Sequence, residues 1–166
     1  MNIFEFAMEK EKFSKNYYRQ LAEKAGHKGF KSIFNMLAKE ESKHYKIVLQ
    51  MSRNFPAKVA EAPVLRNARE VFEKMRESPE TFDFEVSELE LYQKARDFET
   101  ESMDFYLEKS EEIEDTRQKE IFKKLSDEEH KHFILLDKIC DFVARPQWFL
   151  ENAEMYRFDD YAEGVL

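Results

Sequence analysis

The chain has 166 residues, of which 37% are charged, and its formal net charge is −8. A domain of this length can bury a continuous core, and the acidic balance argues against nucleic acid as a partner. Because only three Gly and four Pro occur, long helices are favoured over strands, and we predict a single all-α domain over residues 1–166.

Four long helices are predicted in chain order, arranged as two hairpins. The predicted helices cover residues 3–25, 30–53, 86–113 and 117–144, with a shorter helix over 64–77, and Arg145-Pro146 ends the last long helix. The connection between the hairpins is about 30 residues long, enough to cross the length of a bundle. Two hairpins joined by one long crossover are typical of the ferritin-like four-helix bundle.

The last part of the chain and its single cysteine are expected to be structural. The aromatic tail, residues 147–166, is predicted to pack on the bundle or on a second subunit. Cys140 lies in an apolar run and is interpreted as a core residue. The N-terminus has no signal-peptide apolar region and no run is long enough to span a membrane, so a cytoplasmic location without a membrane partner is expected.

The most informative feature is a set of residues that recurs 88 positions later without a gap. Each copy contains a solitary Glu, a Tyr seven residues after it, and a Glu-x-x-His pair. The first copy is Glu11, Tyr18, Glu41 and His44, and the second is Glu99, Tyr106, Glu129 and His132. The repeat therefore predicts six candidate ligands with internal two-fold symmetry.

These Glu and His residues occupy positions where the helical pattern calls for apolar side chains. On the second helix, Glu41 and His44 continue the stripe that includes Leu37, and Glu129 and His132 do the same on the fourth. Four buried carboxylates without compensation would cost several kcal/mol each. Two divalent cations would balance them, and neutral imidazoles would complete the ligand set.

The remaining polar residues of the repeat are assigned by their helical positions. Tyr18 and Tyr106 lie two turns beyond the solitary glutamates, where their hydroxyls can hydrogen-bond to carboxylate ligands or the rings can simply pack in the core. His27 and His130 are predicted to be solvated. Glu40 and Glu128 are predicted to be surface charges, although they too are repeated.

The doubled Glu-x-x-His motif and the two Glu-to-Tyr spacings resemble the di-iron domain of the rubrerythrin branch of the ferritin-like superfamily. The resemblance implies that Glu41 and Glu129 bridge two irons, that Glu11 and Glu99 are terminal ligands, and that each His binds one iron. It also implies the reduction of hydrogen peroxide or dioxygen, and a homodimer is expected.

Two differences from that family are visible in the sequence. Rubrerythrins proper carry a rubredoxin domain with Cys-x-x-Cys motifs, whereas this chain has one cysteine, so an external electron donor such as a rubredoxin-like protein is implied. The family also has a further glutamate where this chain has Ser102.

Three alternatives remain open from the sequence. An iron-binding, ferroxidase or storage role would use the same ligands, and manganese could take the place of iron. A metal-free helical interaction protein would use the Glu and His residues as a polar network.

Overall fold

The computed structural model describes residues 1–78, 80 and 82–152, and these residues form helices and loops without a strand. The helices are α1 (Ile3–Lys24), α2 (Lys28–Ser52), α3 (Val64–Glu77), α4 (Val86–Glu112), α5 (Thr116–Ala144) and α6 (Pro146–Glu151). The predicted all-α fold is confirmed, and each predicted helix boundary lies within two residues of the observed one. Within the described part of the chain, no helix has the length and apolar character needed to cross a membrane.

Three of the long helices begin at side-chain caps. Asn2 and Glu5 form a capping box at α1, and the Asp115 side chain accepts a hydrogen bond from the Gln118 backbone N–H at α5. At α2 the cap is His27, which accepts from the Gly29 N–H while its Nε2 lies 3.1 Å from Glu80. The prediction that His27 is solvated is wrong, because the imidazole is half-buried in these contacts.

The hairpins are α1 with α2 and α4 with α5, and they pack side by side. Helix α1 runs antiparallel to α4, since Phe6 contacts Phe105 and Phe13 contacts Phe98. The crossover between the hairpins contains α3, which packs on α2, α5 and α6. This is the ferritin-like order that the connection lengths predicted.

Two apolar clusters fill the bundle at different heights. The larger cluster is rich in aromatic rings, and Phe142 of α5 contacts the rings of five other Phe residues there, which are Phe30, Phe72, Phe82, Phe84 and Phe149. The smaller cluster lies at the opposite end and includes Val48, Tyr106 and Phe122. On each long helix the Glu and His residues of the repeat lie between these two clusters.

The chain changes direction after α5, where Pro146 starts the short helix α6. Phe149 of α6 is fully buried in the larger cluster. Cys140 is also buried there, and burial raises the pKa of its thiol to about 11. The rest of the aromatic tail, residues 153–166, lies outside the described residues.

Candidate metal centre

The six candidate ligands meet in the middle of the bundle, and each is at most 3% exposed. Helix α1 contributes Glu11 and α4 contributes Glu99, while α2 and α5 each contribute a Glu-x-x-His pair. In each pair the i, i+3 spacing brings the carboxylate and the imidazole to the same side of the helix. Six polar groups from four helices therefore share one water-poor volume.

The arrangement repeats across the two halves of the chain. His44 Nδ1 lies 2.7 Å from Glu129, 3.6 Å from Glu11 and 3.7 Å from Glu41. The equivalent distances from His132 Nδ1 are 2.8 Å to Glu41, 3.5 Å to Glu99 and 3.9 Å to Glu129. Corresponding distances agree to within 0.2 Å, so the sequence repeat is also a repeat in space.

Two overlapping groups of four residues could each hold a metal ion. One is Glu11, Glu41, His44 and Glu129, and the other is Glu41, Glu99, Glu129 and His132, with ligand atoms within 4.8 Å of one another in each group. Glu41 and Glu129 belong to both groups. The two imidazole rings are almost parallel, with centroids 5.7 Å apart.

The tyrosines connect the hairpins across the centre. Tyr18 donates its hydroxyl hydrogen bond to Glu99, and Tyr106 donates to Glu11. Each tyrosine thus holds a carboxylate of the other hairpin. Both rings are buried to 1% exposure, and each hydroxyl fixes the rotamer of a solitary glutamate.

Without a metal, the four carboxylates cannot all be ionised together. Burial, and then the neighbouring charges of Glu11 and Glu99, raises the pKa of Glu41 well above its usual value. Burial and the other three carboxylates do the same to the pKa of Glu129. Burial also opposes ionisation of Glu11, but contact with Glu41 and the charge of His44 outweigh it and lower the pKa of Glu11. The pKa of Glu99 is lowered in the same way, mainly by the charge of His132.

The imidazoles are shifted toward their charged forms. Burial works against protonation, yet the Glu11 carboxylate raises the pKa of His44 well above its ordinary value, and Glu99 raises that of His132. Two imidazolium ions with two carboxylates, Glu11 and Glu99, make a neutral metal-free centre when Glu41 and Glu129 hold protons. The same neutrality results when four carboxylates surround two divalent ions.

The buried polar atoms fit a metal better than they fit one another. Glu11 Oε2, Glu41 Oε2, Glu99 Oε2 and both Glu129 oxygens have no hydrogen-bond partner among the described residues. His44 Nδ1 lies 2.7 Å from Glu129 Oε1, but neither atom has hydrogen-bond alignment toward the other. Orphaned atoms of this kind cost roughly 1–3 kcal/mol each, and bonds to cations in the two groups would satisfy them.

Sequence reasoning missed Ser14, identified Ser102 only as a difference from the family, and misjudged two glutamates. Ser14 and Ser102 are 7% and 5% exposed and lie three residues after the solitary glutamates, themselves 88 positions apart. The prediction that Glu40 and Glu128 are surface charges is wrong, because they are 7% and 4% exposed.

The cover over Glu128 explains its burial. The Ala62 N–H of the crossover donates to its carboxylate at 2.9 Å, and Lys131 lies 2.9 Å away. Glu40 pairs with Lys43 at 2.9 Å. The sequence could not predict the burial of Glu128, since the loop that covers it is 66 residues distant. His130 is exposed, as predicted.

A four-helix bundle with two Glu-x-x-His pairs facing each other in its core has the architecture of a ferritin-like protein, with buried groups that could hold metal ions. The family model described as Rubrerythrin matches residues 2–140, so the chain is a member of the rubrerythrin family. The match includes all six candidate ligands. No curated protein and no solved structure gives a significant match to the chain.

Proposed function

We propose that this chain is a non-haem di-iron protein that reduces hydrogen peroxide or dioxygen. The observation that supports the proposal most is the pair of overlapping buried groups that share Glu41 and Glu129. Carboxylate and imidazole ligands suit both iron and manganese, and membership of the rubrerythrin family favours iron.

The proposed ligand roles follow from which groups each residue joins. Glu41 and Glu129 would serve both metal positions, because they belong to both groups. Glu11 and His44 complete one position, and Glu99 and His132 complete the other. Four carboxylates then balance two divalent ions, which leaves no net charge in the core.

When bound, two ferrous ions supply the two electrons that convert one hydrogen peroxide molecule and two protons into two water molecules. The protein keeps the ligands in place and limits water. Tyr18 and Tyr106 hold the terminal carboxylates by hydrogen bonds, and the two apolar clusters close the centre from both ends. Electrons return from a separate donor such as a rubredoxin-like protein.

The proposal is tested by metal analysis and absorption spectroscopy on the same sample. Protein reconstituted with ferrous iron without air is expected to hold about two irons per chain and to develop ferric absorption when peroxide is added. A chain that takes up no metal contradicts the proposal and favours a polar network. A hollow many-subunit particle in native mass measurements favours iron storage, whereas a homodimer agrees with the proposal.

Two histidines on α5 provide a matched pair of variants. His132→Ala removes a buried candidate ligand and is expected to lower the metal content to about one ion or less per chain, because one position loses its only imidazole. His130→Ala changes an exposed residue two positions away and should keep full metal content. Equal metal content in both variants would remove His132 from the ligand set.

A further inference from the structure

A hollow of about 350 Å³ opens between α1 and α4, on the outside of the centre. Its mouth contains the exposed rings of Phe6 and Phe13, and Phe98 forms part of the wall. Its floor contains Ser14 and Ser102, the two buried serines of the repeat. Three charged residues, Glu9, Lys10 and Glu101, complete the lining, so the hollow has walls of aromatic and charged side chains and a small polar base.

The hollow lies on the internal two-fold axis of the chain. Ser14 and Ser102 are related by the 88-residue repeat, and so are two further pairs of lining residues, Phe13 with Glu101 and Lys10 with Phe98. The base is thus the same on both sides of the axis, but the walls differ. One wall is formed by the contacting rings of Phe13 and Phe98 and the other by charged side chains.

The two serine hydroxyls are available to a molecule in the hollow. Ser110 and Ser126, which are also buried, donate to the backbone carbonyls of Leu107 and Met103. Within the described part of the chain, neither Ser14 nor Ser102 makes such a hydrogen bond. A hydroxyl both donates and accepts, so two of them can hold one small polar molecule from both sides.

The base of the hollow adjoins the centre. Ser14 and Ser102 are one helical turn from Glu11 and Glu99, on the same side of their helices. A tight space lined by Ser14, Phe98 and Tyr18 lies beside the hollow, and it has no room for a water-sized molecule. Tyr18 donates its hydroxyl hydrogen bond to Glu99, so packed side chains separate Ser14 from this candidate ligand and must move for a molecule to pass.

We infer that the hollow is the entrance for hydrogen peroxide and that Ser14 and Ser102 are positioning residues that receive it above the centre. Hydrogen peroxide is small and uncharged, and it donates and accepts hydrogen bonds, as the serine hydroxyls do. Dioxygen fits the same space but forms only weak hydrogen bonds with the hydroxyls. The inference rests on the proposed function and adds to it the route and the two residues that receive the oxidant.

Access to the base can be tested without metal by cysteine labelling. Ser102→Cys and Ser126→Cys place a thiol at two positions that are both 5% exposed, one in the hollow and one outside it. With methyl methanethiosulfonate, Cys at position 102 is expected to react at least about tenfold faster than Cys at position 126. The native Cys140 should react slowly because it is buried with a raised pKa.

Two results of labelling would overturn the inference. Equal slow rates at positions 102 and 126 would mean that the hollow is closed to small molecules. A slow rate at position 102 that increases when the protein is diluted would mean that a second copy of the chain covers the exposed Phe6 and Phe13 rim.

The positioning role is tested with the iron-loaded protein. The double variant Ser14→Ala, Ser102→Ala is expected to keep its metal content but to need about tenfold more peroxide for half-maximal oxidation of the ferrous protein, from the loss of two neutral hydrogen bonds. Its maximal rate and its oxidation by dioxygen should change little. Ser102→Leu fills the base and should slow both oxidants.

The outcomes separate this inference from the proposed function. If wild-type protein binds no metal or does not react with peroxide, both are overturned, while the labelling result still reports whether the hollow is open. If wild-type protein reacts and both serine variants behave like it, only the entrance is overturned.

Discussion

The two faces of the bundle differ although the same repeated residues underlie them. On the α2 and α5 face, the crossover lies over the helices, Val59 packs in the smaller apolar cluster, and the Ala62 N–H bonds to Glu128. On the α1 and α4 face, the described residues leave a hollow with Phe6 and Phe13 exposed at its mouth. The crossover thus covers one face of the bundle, whereas the other face has the hollow that we propose as the entrance.

This difference shows that a sequence repeat determines where a side chain lies on its helix more strictly than it determines which residues surround that side chain. The six Glu and His residues have nearly equal distances in both halves because they contact only one another and the helices of the bundle. Glu40 and Glu128 are also repeated, yet Glu128 accepts a hydrogen bond from the crossover, whereas Glu40 pairs with Lys43 on its own helix. Loops that occur once break the symmetry that the helices share.

The largest difference in stability is expected between a variant in the core beneath the crossover and a variant on the α1 and α4 face. Phe142→Ala removes a fully buried ring that touches five others, and it should lower the free energy of unfolding by about 3–5 kcal/mol. Phe13→Ala removes a ring that is 56% exposed and should cost about 1 kcal/mol or less. Chemical denaturation measures both, and similar losses would contradict the distinction between the faces.

A second comparison uses the repeated glutamates themselves. Glu128→Ala removes the acceptor of the Ala62 N–H and the partner of Lys131, and should lower the free energy of unfolding by roughly 1.5–3 kcal/mol. Glu40→Ala removes a pair with Lys43, whose side chain is 56% exposed, and should cost about 1 kcal/mol or less. Thermal unfolding of the two variants provides the measurement, and an equal loss would mean that the crossover contributes nothing through Glu128.

The smallest expected effect is a pH dependence of the metal-free protein. The pKa values of Glu41, Glu129, His44 and His132 are raised in the folded state, so the folded chain binds protons that the unfolded chain releases. This contribution to stability is full below the unfolded pKa values and is lost as pH rises through the folded ones. Between about pH 6 and about pH 9, the melting temperature should fall by a few degrees.

Metal loading provides the control for that pH dependence. Because cations replace the bound protons, the melting temperature of the loaded protein should depend less on pH. Loading in weak buffer should release up to about four protons per chain. A pH indicator measures the release. A metal-free profile that rises with pH, or loading without proton release, would contradict the assigned protonation states.

Much of the fold and of the centre could be predicted because the signals are local. Gly26 and Pro146 mark the ends of α1 and α5, and the polar interruptions of apolar stripes identify Glu41, His44, Glu129 and His132. Ser14 was missed, and Ser102 was identified only as a difference from the family, because a serine on a helix resembles an ordinary surface residue. The place of both serines in the hollow between α1 and α4 depends on the packing of the two helices.

The other misses also depend on contacts between distant segments. His27 is held by its capping role and by Glu80, 53 residues away. Glu128 is buried by a loop that packs across α5. Helical periodicity describes one helix at a time and therefore contains no information about such covers.

The crossed tyrosine bonds have a consequence for how such a chain can be divided. Every solitary glutamate is held by the other hairpin, since Tyr18 bonds to Glu99 and Tyr106 to Glu11, and each histidine makes its closest carboxylate contact across the same boundary. One hairpin by itself contains half of the candidate ligands and lacks the tyrosine that bonds to its solitary glutamate. Two copies of that hairpin would contain a complete centre. In evolutionary terms, the centre has the form of a small symmetric dimer whose two subunits have been joined by the crossover into one polypeptide.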